Sequence, residues 1–264
     1  MPAFDHASRA TKGARSYQED TALTWSSAGD SVPTQDAVAG NGAMVAVLAD
    51  GMGGHAGGAL ASRMACETFV KTFANAGGPS RERLVQALQA ANLAIAQTVE
   101  ANPLLSGMGS TLVGVTFGEE GVQWVSVGDS PLMLYRRGEI AFLNEDHSLA
   151  PELDRLAALG EISEEDAKRD PRRHMLRSAV TGDEIELVDL SRRPLQVEPG
   201  DYIILASDGL HTLEPAEVER IVTAYGSDGA SAVANALIRA VEAIRDPHQD
   251  NATVIAVRPL AVQC

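Results

Sequence analysis

The sequence predicts an α+β domain with antiparallel sheets and helices packed outside them. Three observations predict it. Short apolar runs at 111–117, 122–127, 132–137 and 140–143 follow one another too closely to hold crossover helices, so they pair antiparallel. Two helical blocks, 58–76 and 80–101, come before them with no strand between. Two more, 215–225 and 229–245, come near the end. That order is not the strict strand–helix alternation of a doubly wound fold.

Each element has its own signal. "MVAVLA" (44–49) is a continuous apolar run and reads as a buried strand. In 58–76, Leu60, Met64, Phe69 and Phe73 recur at helical spacing. In 80–101, Leu84, Leu88, Ala91, Ile95 and Val99 mark one face, with Ser80 as the N-cap. The four short strands then form a meander with turns at "GEEG", "GDSP" and "RGE". "IELVDL" (185–190), "YIILAS" (202–207) and "TVIAV" (253–257) are further strands. Val218, Ile221, Val222 and Tyr225 group on the first late helix, and Val233, Leu237, Val241 and Ile244 on the second. Residues 27–42, rich in Ser, Gly and Asp, read as a hairpin loop. Residues 146–181 are polar and irregular, with short helices near 151–159 and 163–169. So long a connection in a compact domain is often functional.

Composition narrows the class. The chain has 264 residues, 45% of them hydrophobic, enough for one large domain or two small ones. No apolar run reaches the length of a membrane span, and the N-terminus lacks a signal-peptide core, so a soluble cytoplasmic protein is expected. Cys66 and Cys264 make no disulfide framework; Cys66 reads as a small core residue. At a net charge of −15 with scattered basic residues, the chain is a poor nucleic-acid binder. Its densest basic run, 168–177, reads as a solvated loop, with a patch for an anionic substrate as the alternative.

The chemistry concentrates in "ADGMGGHAGG" (49–58), where a buried strand ends in Asp50 among glycines. Residues 51–56 fit a dinucleotide fingerprint formally, yet Asp50 would repel a pyrophosphate and no strand follows at the right distance. A P-loop fails because no Gly-Lys-Ser/Thr occurs. The pattern recurs instead: Asp129 in "VSVGDS", Asp208 in "IILASDGL" and Asp250 in "QDNATVIAV" also sit at strand termini. One such case is an ordinary Asp-Gly turn. Four together suggest a shared cation, because a carboxylate at the lip of a buried strand does not stay charged unpaired. All-oxygen ligands select Mg²⁺ or Mn²⁺ over zinc.

"RSYQED" (15–20), "ADGMGGHAGG", "GSTL" (109–112), "GDS" (128–130), "SDGL" (207–210) and "DNAT" (250–253) occur in the order and spacing of the metal-dependent protein Ser/Thr phosphatases. Over nearly its whole length the chain resembles that PP2C or PPM family, in its bacterial form. The resemblance implies a four-layer α-β-β-α sandwich, two antiparallel β-sheets flanked by helices, as a single domain over 1–264 with a flap at about 146–181. It implies two Mn²⁺ or Mg²⁺ ions in a core site and a weaker third. Asp50 would bridge the two, Asp208 and Asp250 would complete one shell, and the Gly51 carbonyl would bind the other, with Glu19 holding its waters and Asp20 helping. Asp129 and Asp208 match residues that hold the third ion. Arg15 matches the arginine that grips the substrate phosphate, a task suited to its planar donor fork.

The implied reaction is hydrolysis of phosphoserine and phosphothreonine monoesters in proteins by a metal-activated water, without a phosphoenzyme. Met52 stands where eukaryotic members carry a proposed acid His, and Pro131 where an Arg commonly follows "GDS". His55 reads as a local packing or capping residue, and His147 and His174 as surface polar residues, with substrate contact as the alternative for the last two. A phosphoprotein-binding pseudophosphatase and a phosphatase of small phosphorylated molecules are the competing functions. The intact acid set disfavours the first; only substrate tests separate the second. The expected partners are phosphorylated proteins and a cognate Ser/Thr kinase, for a monomer that binds neither nucleic acid nor membrane.

Overall fold

The computed structural model describes residues 3–27, 36–39, 44–54 and 56–260. Its strands are β1 (Phe4–Thr11), β2 (Thr21–Ser26), β3 (Asp36–Ala39), β4 (Met44–Ala49), β5 (Gly51–Met52), β6 (Gly109–Ser110), β7 (Leu112–Gly118), β8 (Gly121–Val127), β9 (Leu132–Arg136), β10 (Glu139–Phe142), β11 (Asp189–Leu190), β12 (Tyr202–Ala206) and β13 (Ala252–Pro259). Its helices are α1 (Ala56–Asn75), α2 (Ser80–Ala101), α3 (Ala150–Ala158), α4 (Glu164–Arg169), α5 (Pro215–Tyr225) and α6 (Ala230–Ile244). One sheet runs β10-β9-β12-β13-β1-β3, the other β11-β8-β7-β4-β2, and a short pair joins β5 to β6. The pairings within them are antiparallel.

The layers follow from strand alternation, because successive side chains of a strand face opposite sides. Met44, Ala46 and Leu48 of β4 face the other sheet, with Val113, Val115 and Phe117 of β7. They meet Phe4, Leu132, Ile203, Leu205, Ile255 and Val257 from the first sheet. The Phe4 and Phe117 rings sit 5.2 Å apart across this seam. Val45, Val47 and Ala49 point the opposite way, onto Phe69 and Phe73 of α1 and Leu84 and Leu88 of α2. Tyr202, Ile204 and Ala206 likewise point onto Val218 and Val222 of α5 and Leu237 and Val241 of α6. Both sheets are thus covered on both faces, which is why β4 and β12 read as unbroken apolar runs. The result is the expected four-layer sandwich, with Cys66 fully buried in the α1–α2 layer.

Several local expectations need correction. The meander expected over 111–143 is two hairpins in two sheets: β7 pairs β8 in one, β9 pairs β10 in the other. Apolar residues on both faces of these strands call for two stacked sheets, which local spacing does not reveal. The chain crosses between sheets at 128–131, where Gly128 takes φ +101°, a conformation open to glycine. Ala206 N donates to the Pro131 carbonyl at 3.0 Å and fixes the far side of the crossing.

The strand expected over 185–190 shrinks to Asp189–Leu190. The rest is not strand, with Ile185 packed on the helical layer. Ser80 is the first helical residue and not the cap; Pro79 takes that place, without a side-chain cap bond. β1 and β2 were not expected. Polar residues hide β1, but tertiary partners satisfy them: Asp5 Oδ2 accepts from Arg258 Nε at 2.8 Å and Ala230 N at 3.0 Å. The loop expected over 27–42 contains β3, paired with β1; residues 28–35 and 40–43 of it, like His55 and Cys264, lie outside the described residues.

Candidate active site

The acids singled out from the sequence lie at strand ends that the stacked sheets bring to one edge. Asp50 directly follows β4, and "GSTL" locks its backbone. Its N–H donates to Thr111 Oγ1 at 2.9 Å, and its carbonyl accepts from Thr111 N at 2.9 Å and Ser110 Oγ at 2.8 Å. Thr111 Oγ1 also bonds Ser130 Oγ at 2.7 Å, tying Asp50 to the crossing that carries Asp129. Asp208 opens a 3-10 turn (Asp208–Thr212) after β12. Asp250 precedes β13. Arg15 and Glu19 lie on the segment between β1 and β2.

Arg15, Glu19, Asp50, Gly51, Asp129, Asp208 and Asp250 all line one cavity of about 670 Å³. Asp20 does not line it. Asp20 is buried behind the acids, with Oδ2 accepting from Ser207 Oγ at 2.7 Å. The opposite wall comes from 174–186 and includes His174, Met175, Arg177, Glu184 and Glu186.

Crowding of like charge shows in the acidities. Burial, then Asp20 and Asp208, holds the Asp50 carboxyl well above the usual carboxylate range. Burial, then Asp250, raises Asp208. Burial, then Asp208 and Asp146, pushes Asp129 up to about 7. Burial pushes Asp20 up to about 6 against the Ser207 hydrogen bond. Among the described residues no Lys or Arg forms an ion pair with Asp20, Asp50, Asp129 or Asp208, and Arg15, about half exposed, pairs with Asp250 at 2.5 Å.

The donors fit a hard divalent cation. Every candidate ligand atom is oxygen, and among the described residues Glu19 Oε1, on the cavity wall, is buried with no hydrogen-bond partner. Gly58 of α1 presses against this point: a Cβ there would collide with Glu19 Oε1 and stand 2.8 Å from the Gly51 carbonyl oxygen. Among the described residues, no three His, Cys, Asp or Glu side chains form a ready-made cage. The acids line an open basin instead.

A family model described as protein phosphatase 2C matches residues 26–248. The chain belongs to the protein phosphatase 2C family. Its relatives include the serine/threonine protein phosphatase PstP of Mycobacterium tuberculosis, 35% identical over 215 residues, covering 81% of this chain and 40% of PstP. The chain therefore spans about two fifths of that relative's length. The serine/threonine phosphatase stp of Listeria innocua is 37% identical over 184 residues, covering 67% of this chain and 71% of its own. Among solved structures, the catalytic domain of PstP in complex with two manganese ions has a TM-score of 0.76 at 28% identity, over 99% of this chain and 100% of that one.

The phosphatase 2C edge also holds residues without a role in the sequence reading. His147 is buried, not on the surface: its Nδ1 accepts the Gly128 N–H at 3.2 Å, and burial lowers its basicity. His174 is exposed on the cavity wall. In the basic run, Arg169, Arg172 and Arg173 pair with Glu165, Asp170 and Asp154, as a solvated loop does. Arg177 faces the cavity, as the anion-patch alternative requires. Asn251, quoted above only within "DNAT", is buried and bonds three backbone groups. Its signal was a polar amide entering an apolar strand.

Proposed function

We propose that this chain is a metal-dependent protein Ser/Thr phosphatase of the PP2C type, a phosphoric monoester hydrolase acting on phosphoserine and phosphothreonine. The observation that carries it is the cavity that gathers Asp50, Asp129, Asp208, Asp250, Glu19 and the Gly51 carbonyl beside Arg15. The names of PstP and stp support the substrate class, and the manganese-bound PstP domain supports Mn²⁺, with Mg²⁺ as the alternative.

Asp50 would be shared by the metal site as a whole, Asp208 and Asp250 would hold one ion, and the Gly51 carbonyl would hold the other, with Glu19 holding its waters. Asp129 with Asp208 offers a weaker third place. Asp20 acts from behind by holding Ser207 and the local negative field. When bound, the ions supply an activated water and offset phosphoryl charge. Arg15 presents its guanidinium to the phosphate oxygens and orients the ester for in-line attack. The wall hydroxyls of Thr111 and Ser178 are engaged, with Asp50 N and Ser130 and with the Leu187 backbone respectively, and Thr181 Oγ1 accepts from Asp183 N at 3.4 Å. The proposed route is direct hydrolysis, without a phosphoenzyme.

The reading extends to one domain over 1–264 with 146–181 as a flap beside the cavity. It extends also to a cytoplasmic monomer opposed by a Ser/Thr kinase and without nucleic-acid or membrane partners. Among the described residues, no helix is long and apolar enough to cross a membrane. Phosphate release from a phosphothreonine peptide tests the proposal. It should require Mn²⁺, stop with EDTA and collapse in Asp208→Asn. A folded protein inactive with every divalent metal would overturn it in favour of a binding module, and activity confined to small phosphate esters would move the substrate class.

A further inference from the structure

Two buried amides flank Asp250, and neither enters the catalytic reading. Asn251 is 3% exposed and Gln249 6%. Asn251 Oδ1 accepts the Glu19 N–H at 2.7 Å, while its Nδ2 donates to the Lys12 carbonyl at 3.0 Å and the Tyr17 carbonyl at 2.9 Å. These bonds grip both ends of the segment that carries Arg15. Gln249 works on the other side. Its Nε2 donates to the Gly209 carbonyl at 3.0 Å and the Asp250 carbonyl at 3.1 Å, and its Oε1 accepts from Thr212 Oγ1 at 2.7 Å. Gly209 and Thr212 belong to the turn that Asp208 opens. Three consecutive residues therefore strap the Arg15–Glu19 segment to the Asp208 turn, with Asp250 between them.

Resting on the phosphatase reading, we propose that Asn251 is a positioning residue that sets Arg15 against the acid cluster. An amide suits the place. It offers one acceptor for an N–H and two donors for carbonyls, and a buried polar group is costly when unpaired. Arg15 N donates to the local Lys12 carbonyl at 3.1 Å, and next to it Ala14 N donates to the Gln249 main-chain carbonyl at 2.9 Å. The guanidinium is half exposed and, among the described residues, pairs with Asp250. The Lys12 and Tyr17 anchors thus hold the base from which Arg15 reaches the phosphate. Asn251 lines the cavity beside Asp250, but its side-chain amide is engaged with backbone, so it acts through Arg15 and, by the Glu19 N–H, through Glu19.

The test uses the full chain with Mn²⁺ and a phosphothreonine peptide, and compares Asn251→Ala, Arg15→Ala and the double variant. Asn251→Ala should raise KM about tenfold with a smaller fall in kcat, because misplacing a gripping group weakens substrate orientation. In the Arg15→Ala background the same change should have little further effect on KM. Equal effects in the two backgrounds would overturn the proposal. Hydrogen–deuterium exchange gives a readout independent of turnover. Asn251→Ala should speed exchange over 12–19 and leave 208–212 as in the wild type, whereas Gln249→Ala, which keeps its carbonyl bond to Ala14 N, should speed exchange over 208–212. Unchanged exchange over 12–19 would overturn the proposal even in an active enzyme. Should Asn251→Ala not fold, Asn251→Asp keeps the acceptor for Glu19 N and removes both donors. Its faster exchange should then be confined to 12–17; protection there equal to the wild type would refute the strap. A wild-type protein that releases no phosphate would sink the phosphatase reading alone, since exchange still decides the strap.

Discussion

Replacing Gly58 by alanine should leave the metal-free protein folded and weaken its hold on Mn²⁺. Gly58 is the third residue of α1, so alanine gains up to about 1 kcal/mol of helix propensity. The new methyl collides with Glu19 Oε1 and stands 2.8 Å from the Gly51 carbonyl oxygen. Without metal, the Glu19 carboxylate is the end of a flexible side chain and swings aside. The Gly51 carbonyl is backbone, paired through β5 to Ser110, and gives little. One extra methyl in a packed place costs about 1–3 kcal/mol. Set against the propensity gain, metal-free stability should fall by about 0–2 kcal/mol. Holding the ion's waters would draw Glu19 back toward the methyl, so most of the clash should fall on binding, an affinity loss of about 10- to 100-fold. Titration calorimetry with MnCl₂ measures that loss, and thermal unfolding in EDTA measures the stability. Gly57→Ala is the control, since its Cβ would meet only Met108 Cβ, at 3.4 Å. Wild-type Mn²⁺ affinity in Gly58→Ala, or an equal loss in Gly57→Ala, would refute the reasoning.

Other perturbations have defined outcomes. Without metal, Asp20 and Asp129 have folded pKa values of about 6 and about 7 against 3.8 for a free side chain. A raised carboxyl favours the fold while protonated, so its contribution is full below pH 3.8 and is lost as pH rises through 6 to 7. Urea unfolding in EDTA should show this loss, and Asp129→Asn should flatten its upper part; stability rising across the window would contradict the assignment. Mn²⁺ at about a hundred times its dissociation constant should add about 2.7 kcal/mol of stability. That is a rise of roughly 5–10 °C in Tm for a chain of this size, read by thermal scanning with and without EDTA. Phe69→Ala removes a fully buried ring between α1 and the β4–β7 sheet and should cost about 3–5 kcal/mol. Circular dichroism in urea measures that, and a cost under about 1 kcal/mol would mean the ring is not part of the packed layer.

The sequence made the helices and central strands legible because their burial is strongly periodic or complete. α5, with Val218 and Val222 inward, and β4, buried at every position, are the clearest cases. β1 was not legible, since Asp5 and Arg9 look like solvent residues until Arg258 and Asn235 are folded against them. The split of the meander at Gly128 was hidden for a related reason. Neighbouring strands in sequence usually pair, and only the far strands β12 and β13 reveal that β9 belongs with them. At the site, Asp50, Asp129, Asp208 and Asp250 stood out because acids at the ends of apolar strands are conspicuous. Asn251 and His147 did not, because their work is hydrogen bonding to backbone that is distant in sequence.

The proposed ligands are divided between the two sheets. Asp50 belongs to the end of β4, Asp208 and Asp250 to β12 and β13 in the other sheet, and Asp129 to the bridge between them. A chain that has formed only one sheet holds a fraction of the donors, at separations set by a floppy coil. Ion capture therefore reports the face-to-face closure of the seam around Phe4 and Phe117. On that reading a half-assembled protein would lack the full donor set.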